Sequence, residues 1–219
     1  MSVASPASAG PLPPGPSAMS RDEVLASQRG RVSWAVLEAV SELGYAATTV
    51  SEIVKRAKVS RRTFYELHRD KEDCYVAAFE MAVEIVDNTL DAKLDTYRDA
   101  DWKVLLRKSL EEYLALLSAE PEIARALHVE ALSVGPALAR HRVGMKKVFA
   151  HRMLGAHRLG VAQGELHTTP SEGIMLLLIG GIDDRVRDCL IEDGPEGLPR
   201  LLPDLYTASI ALIQDSSGS

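Results

Sequence analysis

Two helix-start signals lie so close together that they dictate the architecture around them. Thr49 offers a side-chain oxygen at an N-cap, with Glu52 three residues on to complete a capping box, and Ser60 offers a second cap soon after. Between them Val50, Ile53, Val54 and Ala57 recur at helical spacing, so a short helix with one apolar face fits there. Only Lys58 and Val59 then remain before the next helix begins. Two short helices joined so tightly must cross steeply, which is the helix-turn-helix arrangement.

The stretch that follows the turn, KVSRRTFYELHRDK, gathers Lys58, Arg61, Arg62, Arg69 and Lys71 in a chain of formal net charge -6 at pH 7. Charge alone suits a solvated face. The order of signals argues for more: a box, an apolar helix, a tight turn, a second cap and then clustered arginines and aromatics. At 100° per residue, Phe64 and Leu67 share one side of the helix from Ser60, while Arg61, Arg62, Tyr65 and Glu66 share the other. Duplex DNA asks for cations and amides against phosphates and for side chains that reach base edges. Arg61 and Arg62 suit a guanine edge, Thr63 a thymine methyl and Glu66 a cytosine amine. Thr49, Tyr65 and Lys71 suit phosphates, and Ser60 and His68 complete the expected DNA-facing set. The acidic remainder of the chain limits nonspecific adhesion.

Elsewhere the same cap logic predicts helices from Ser20 to Leu43, ended by Gly44, from Asp70 to about Tyr97, and from Thr169 with Pro170 at the first helical position. Trp102 to Leu117, Pro121 to Leu132, Pro136 to about Val161 and Leu198 to Ile213 read as further helices. Runs with period-2 alternation are nearly absent and aromatics are only 5% of residues, so the expected fold class is all-α. The expected organisation is a disordered Pro/Ser/Ala-rich tail over 1–19, an N-terminal helix-turn-helix domain over 20–70, a larger helical ligand-binding and dimerisation domain over 71–213, and a disordered tail over 214–219.

From Gly44 to Asp73 the residues GYAATTVSEIVKRAKVSRRTFYELHRDKED closely resemble the DNA-binding domain of TetR-family transcriptional regulators. The pattern of Gly, Thr, Ile, Ala, Val-Ser, Thr-Phe-Tyr and Lys-Glu recurs in order between about Gln28 and Glu80. Three positions depart from it: Lys58 stands where glycine is common, Leu67 where histidine is frequent and His68 where an anchoring phenylalanine is usual. A buried imidazole at that last position requires a hydrogen-bond partner. The resemblance implies a divergent helical domain for a small effector, a homodimer whose last two helices build a four-helix interface, and, in many members, repression of an operator.

On that expectation the interface draws on Ile174, Leu177, Leu178, Gly181 and Ile182 in the apolar run IMLLLIGGI, with Leu205, Tyr206 and Ser209 from the final helix. Tyr113, His128, Met145, Phe149 and Met153 are the candidates for an effector pocket, set against their reading as plain core. The histidines form no i, i+4 pair, so no metal and no cofactor is expected. No nucleophile elbow, Gly-rich phosphate loop or paired-carboxylate motif points to an enzyme. Cys74 and Cys189 match no ligand spacing and suit a reducing cytoplasm. The longest apolar stretch falls far short of the roughly 20 residues a membrane span needs.

The leading expectation is a homodimeric, ligand-responsive repressor that binds double-stranded, near-palindromic operator DNA through the helix from Ser60 to Leu67. An apolar or amphipathic effector fits the Leu, Met and Ala content of the middle helices. A helical-bundle carrier or enzyme with a vestigial helix-turn-helix is the alternative from another class, and a protein-interaction module using the basic patch is a third.

Overall fold

The structure is a computed structural model that describes residues 20–214. Of the expected tails over 1–19 and 214–219, residues 1–19 and 215–219 lie outside those residues, and Gln214 is the last residue of a helix rather than part of a tail. Among the described residues the regular elements are all helical: α1 (Arg21–Leu43), α2 (Val50–Ala57), α3 (Arg61–Leu67), α4 (Lys71–Leu94), α5 (Trp102–Ala119), α6 (Pro121–His128), α7 (Pro136–Ala162), α8 (Glu172–Glu192) and α9 (Leu202–Gln214). Single 3-10 stretches follow α4 at Asp95–Tyr97, α6 at Glu130–Leu132 and α8 at Pro195–Leu201.

The caps act where the sequence places them. The Ser20 side chain accepts from the Glu23 amide while Glu23 returns the bond, and Gly44 ends α1 at φ 78°. Thr49 caps α2, Ser60 caps α3 and Asp70 caps α4, each accepting from the amide three residues on. Several boundaries differ from expectation. α8 is capped by Ser171, which accepts from the Ile174 amide, rather than by Thr169, so Pro170 precedes the cap instead of opening the helix. The expected helix from Pro121 to Leu132 changes after His128 into a 3-10 turn, and that from Leu198 has its first turn wound as 3-10 around Pro199, which lacks an amide to donate.

α1 packs on α2, α4 and α6, which anchors the three N-terminal helices to the rest. α4 runs on from the motif and packs between α1 and the pair α5 and α7, while α8 and α9 close the far side. One continuous apolar core joins the two parts, from Val32, Phe64 and Tyr75 to Trp102, Leu117 and Ile123. Each fully buried large side chain contributes about 1.5 to 3 kcal/mol. Two polar contacts pin the junction: the Tyr75 hydroxyl donates to the Ala126 carbonyl at 2.9 Å, and the Tyr45 amide donates to Glu130 Oε2 at 3.0 Å.

Candidate DNA interface and ligand cavity

α3 is held from behind by Phe64, which is fully buried in the core formed with α1 and α2. That anchoring turns the opposite side outward. Arg62 has 89% of its side chain exposed and donates to Glu66 one turn on at 2.9 Å, and Tyr65 is 57% exposed. Arg61 is exposed and donates to Ser51 Oγ on α2, which fixes the angle between the two helices. Thr63 is half-buried beside Ser60, with 2.9 Å between their hydroxyls, and Thr49 is exposed at the start of α2. Lys58 adopts the left-handed conformation, φ 53° and ψ 45°, so the turn keeps the geometry that glycine eases and carries its strain on a lysine.

Two of the expected DNA contacts are placed elsewhere. His68 is only 4% exposed, wedged between the Phe64 ring and the start of α4, so it is an inward anchor rather than a base or phosphate contact. Its Nδ1 lies 3.6 Å from Asp73 Oδ2, and its Nε2 is buried with no hydrogen-bond partner among the described residues. Lys71 is half-buried, and its ammonium donates to the carbonyls of Tyr45 and Thr48 at 2.7 and 2.9 Å, 4.1 Å from the centre of the Tyr45 ring. Burial lowers its pKa. The group is spent on the turn between α1 and α2, so it is a strut for the motif rather than a free phosphate ligand.

The His68 arrangement carries a pH signature. Burial lowers the imidazole pKa from 6.5, and the Arg29 charge adds to that, against the opposing pull of Asp73. A base whose folded pKa lies below its unfolded value binds fewer protons when folded, so its stabilising state is complete above 6.5 and is lost as pH falls through the folded value. His68→Phe is expected to remove that dependence and to recover the roughly 1 to 3 kcal/mol cost of an unsatisfied buried polar group. Thermal unfolding of both proteins between pH 5 and 8, on the order of the histidine range, checks this; equal pH slopes would contradict it.

In the larger domain, Tyr113, His128, Met145, Phe149 and Met153 all face one internal cavity of about 30 Å³ between α4, α5, α6, α7 and α8. Leu90, Leu110, Ile179 and Ile182 supply the rest of its apolar wall, with Ser109, Arg152 and Asp183 as polar members. Along one side runs a buried chain of hydrogen bonds. Asp183 Oδ1 meets His128 Nδ1 at 2.7 Å, His128 Nε2 meets the Tyr113 hydroxyl at 2.8 Å, and Asp183 Oδ2 accepts from Arg142 at 2.8 Å. Lys146 stands 3.4 Å from the same oxygen. Burial acts to raise the Asp183 pKa, but the His128 hydrogen bond and the charges of His128, Arg142 and Lys146 outweigh it and hold the carboxyl below its ordinary value. Burial, helped by Asp183, pushes the Tyr113 phenol well above its usual range.

Sequence reasoning did not single out Asp183, Arg152 or Ser109. The available signal for Asp183 was an acid directly after the run IMLLLIGGI, on a helix with little polar surface to spare. Of the expected interface residues, Leu178, Ile182, Leu205 and Ser209 are buried within the protomer, so they belong to its own core. Leu177 and Gly181 are exposed, and Ile174 and Tyr206 are partly so.

Residues 35–78, covering the end of α1, the motif and the start of α4, match the family model of bacterial regulatory proteins, tetR family. The chain carries the DNA-binding domain of the TetR family. Its whole fold is TetR-like as well. The fatty acid degradation regulator FadR of Bacillus halodurans superposes with a TM-score of 0.73 at 17% identity, over 88% of this chain and 97% of that one. The transcriptional regulator FadR of Bacillus subtilis, solved in complex with stearoyl-CoA, gives 0.71 at 20% identity over 86% and 98%. A transcriptional regulator of Rhodococcus sp. Rha1 gives 0.65 at 21% identity over 84% and 95%. No curated protein matches the chain.

Proposed function

We propose that this TetR-family protein is a homodimeric, ligand-responsive repressor that reads a near-palindromic operator and is released by an amphipathic molecule with a long apolar part. The observation that carries the first half is the two-sidedness of α3, with Phe64 locked inward and Arg61, Arg62, Tyr65 and Glu66 turned out on a helix too short to need that polar face for its own packing. Two such helices related by a twofold axis meet successive major grooves when about 34 Å or a multiple of it apart. The predominantly apolar cavity supports the ligand class, and the stearoyl-CoA bound by the Bacillus subtilis FadR is a molecule of that kind. At about 30 Å³ the cavity is too small for a long chain, so such a chain enters by displacing Met145 and Met153, whose unbranched side chains re-pack readily. The role is binding rather than catalysis, in the cytoplasm.

Arg62→Ala is expected to relax base preference at one position of each half-site and to cost about 1 to 3 kcal/mol there. Operator-variant titrations read this directly, and unchanged discrimination would remove the exposed face of α3 from the groove. On the ligand side, stearoyl-CoA and shorter acyl-CoAs are expected to lower operator occupancy with the dimer intact. Release by polar metabolites alone would contradict the apolar reading.

A further inference from the structure

The internal cavity ends at Ser109 and Arg152, and the same two residues line an open groove of about 670 Å³ on the outer side of α4, α5 and α7. The two edges of this groove carry opposite charge. On one edge Asp87 and Asp91 of α4 are followed four residues on by Asp95, at the start of the 3-10 turn and paired there with Arg98. Along α7, the exposed cations Lys147 and Arg158 lie within about 20° of one another around the helix axis, with the exposed His151 ring on the same side. Gly155 lies between them, where an added Cβ would meet only the Arg158 guanidinium, at 3.8 Å, so the floor stays open. One side chain spans the groove: Arg152 donates to the Asp87 carboxylate and carbonyl and lies 2.9 Å from Asp91, while its Nε is buried with no partner among the described residues.

We propose that this groove is the head-group subsite of the effector, taking an anionic head, carboxylate or phosphate, on the α7 cations and Arg152 while the apolar tail passes between Ser109 and Arg152 into the cavity. The inference rests on the amphipathic-ligand reading and adds the charge, the place and the direction of entry. An anion seated there competes with Asp87 and Asp91 for Arg152 and leaves those carboxylates facing a like charge. Like charges across a groove repel, so the head group itself drives α4 away from α7. α4 begins at the motif, so its displacement reaches α3.

The test compares stearoyl-CoA, stearate and stearyl alcohol, which share a tail and differ in head, for binding to the full chain. At least one anion is expected to bind about tenfold more tightly than the alcohol. That advantage should collapse in about 1 M salt, where the screening length is about 3 Å, and in the double variant Lys147→Glu, Arg158→Glu, whose exposed side chains leave the core untouched. Which anion keeps the salt-sensitive advantage identifies the head as carboxylate or phosphate. Equal binding of all three probes, or an equal loss for all three in the double variant, overturns the head-group site and leaves the amphipathic reading standing. Binding of none of them overturns both.

Discussion

Replacing Asp183 with alanine is expected to cost about 3 to 5 kcal/mol of stability, because it removes one side of a buried ionic cluster and strands the other. Asp183 is 3% exposed and is the carboxylate against which Arg142, Lys146 and His128 are packed. Arg142 already has one buried nitrogen with no partner among the described residues, so the protein holds no spare acceptor for it. Asp183→Asn keeps an acceptor oxygen and should lose less. The folded pKa is held below 3.8, so this contribution is complete above the ordinary carboxylate value and disappears as pH falls through the folded one. Urea unfolding of the three proteins at pH 7 and below pH 4, roughly the carboxylate range, checks both points. A loss under about 1 kcal/mol for Asp183→Ala would mean that the cluster breaks even against its desolvation.

Charging the outer face of α8 is expected to have the larger effect on function. Leu177, Gly181, Asp184, Asp188 and Ile191 fall in one stripe along α8, apolar or small at three of its five positions. Leu177 is 68% exposed and Ile191 62%, too much apolar surface at the two ends of one stripe for a helix meant for water. Nothing lies within 4 Å of a Cβ built on Gly181, so Gly181→Arg meets no obstacle inside its own protomer. The variant should fold, sediment as a monomer and bind operator about 10²- to 10⁴-fold more weakly, the advantage that linking two half-site contacts confers. A Gly181→Arg protein that stays dimeric would move the interface off this stripe.

The sequence was most legible where the determinants are local. Ser20, Thr49, Ser60 and Asp70 cap helices because each needs only an amide three residues away, and the inward side of α3 follows from the spacing of Phe64 and Leu67. Legibility failed where a side chain chooses between partners distant in sequence. Lys71 sits beside the motif and looks free to meet phosphate, yet carbonyls contributed by Tyr45 and Thr48 capture it. His68 follows a basic run, yet the chain direction after Leu67 carries it under α4. For the cavity, Tyr113 and His128 were among the five candidates, and the structure joins them by a hydrogen bond. Asp183 and Arg152 did not stand out, because an acid or a base on a long helix ordinarily faces water. Only the meeting of α4, α6, α7 and α8 brings their partners to them.

The proposed function is sequence-specific DNA binding through α3 that an amphipathic ligand reverses. Its most direct test is an anisotropy titration of the full chain on its own upstream duplex and on a scrambled duplex of equal length. It is run across salt concentrations, with and without stearoyl-CoA. Tight binding to the upstream duplex alone is expected, with a steep loss with salt as phosphate counterions return and release by the acyl-CoA with the protein still dimeric. Equal, weak affinity for both duplexes at every salt concentration would contradict it.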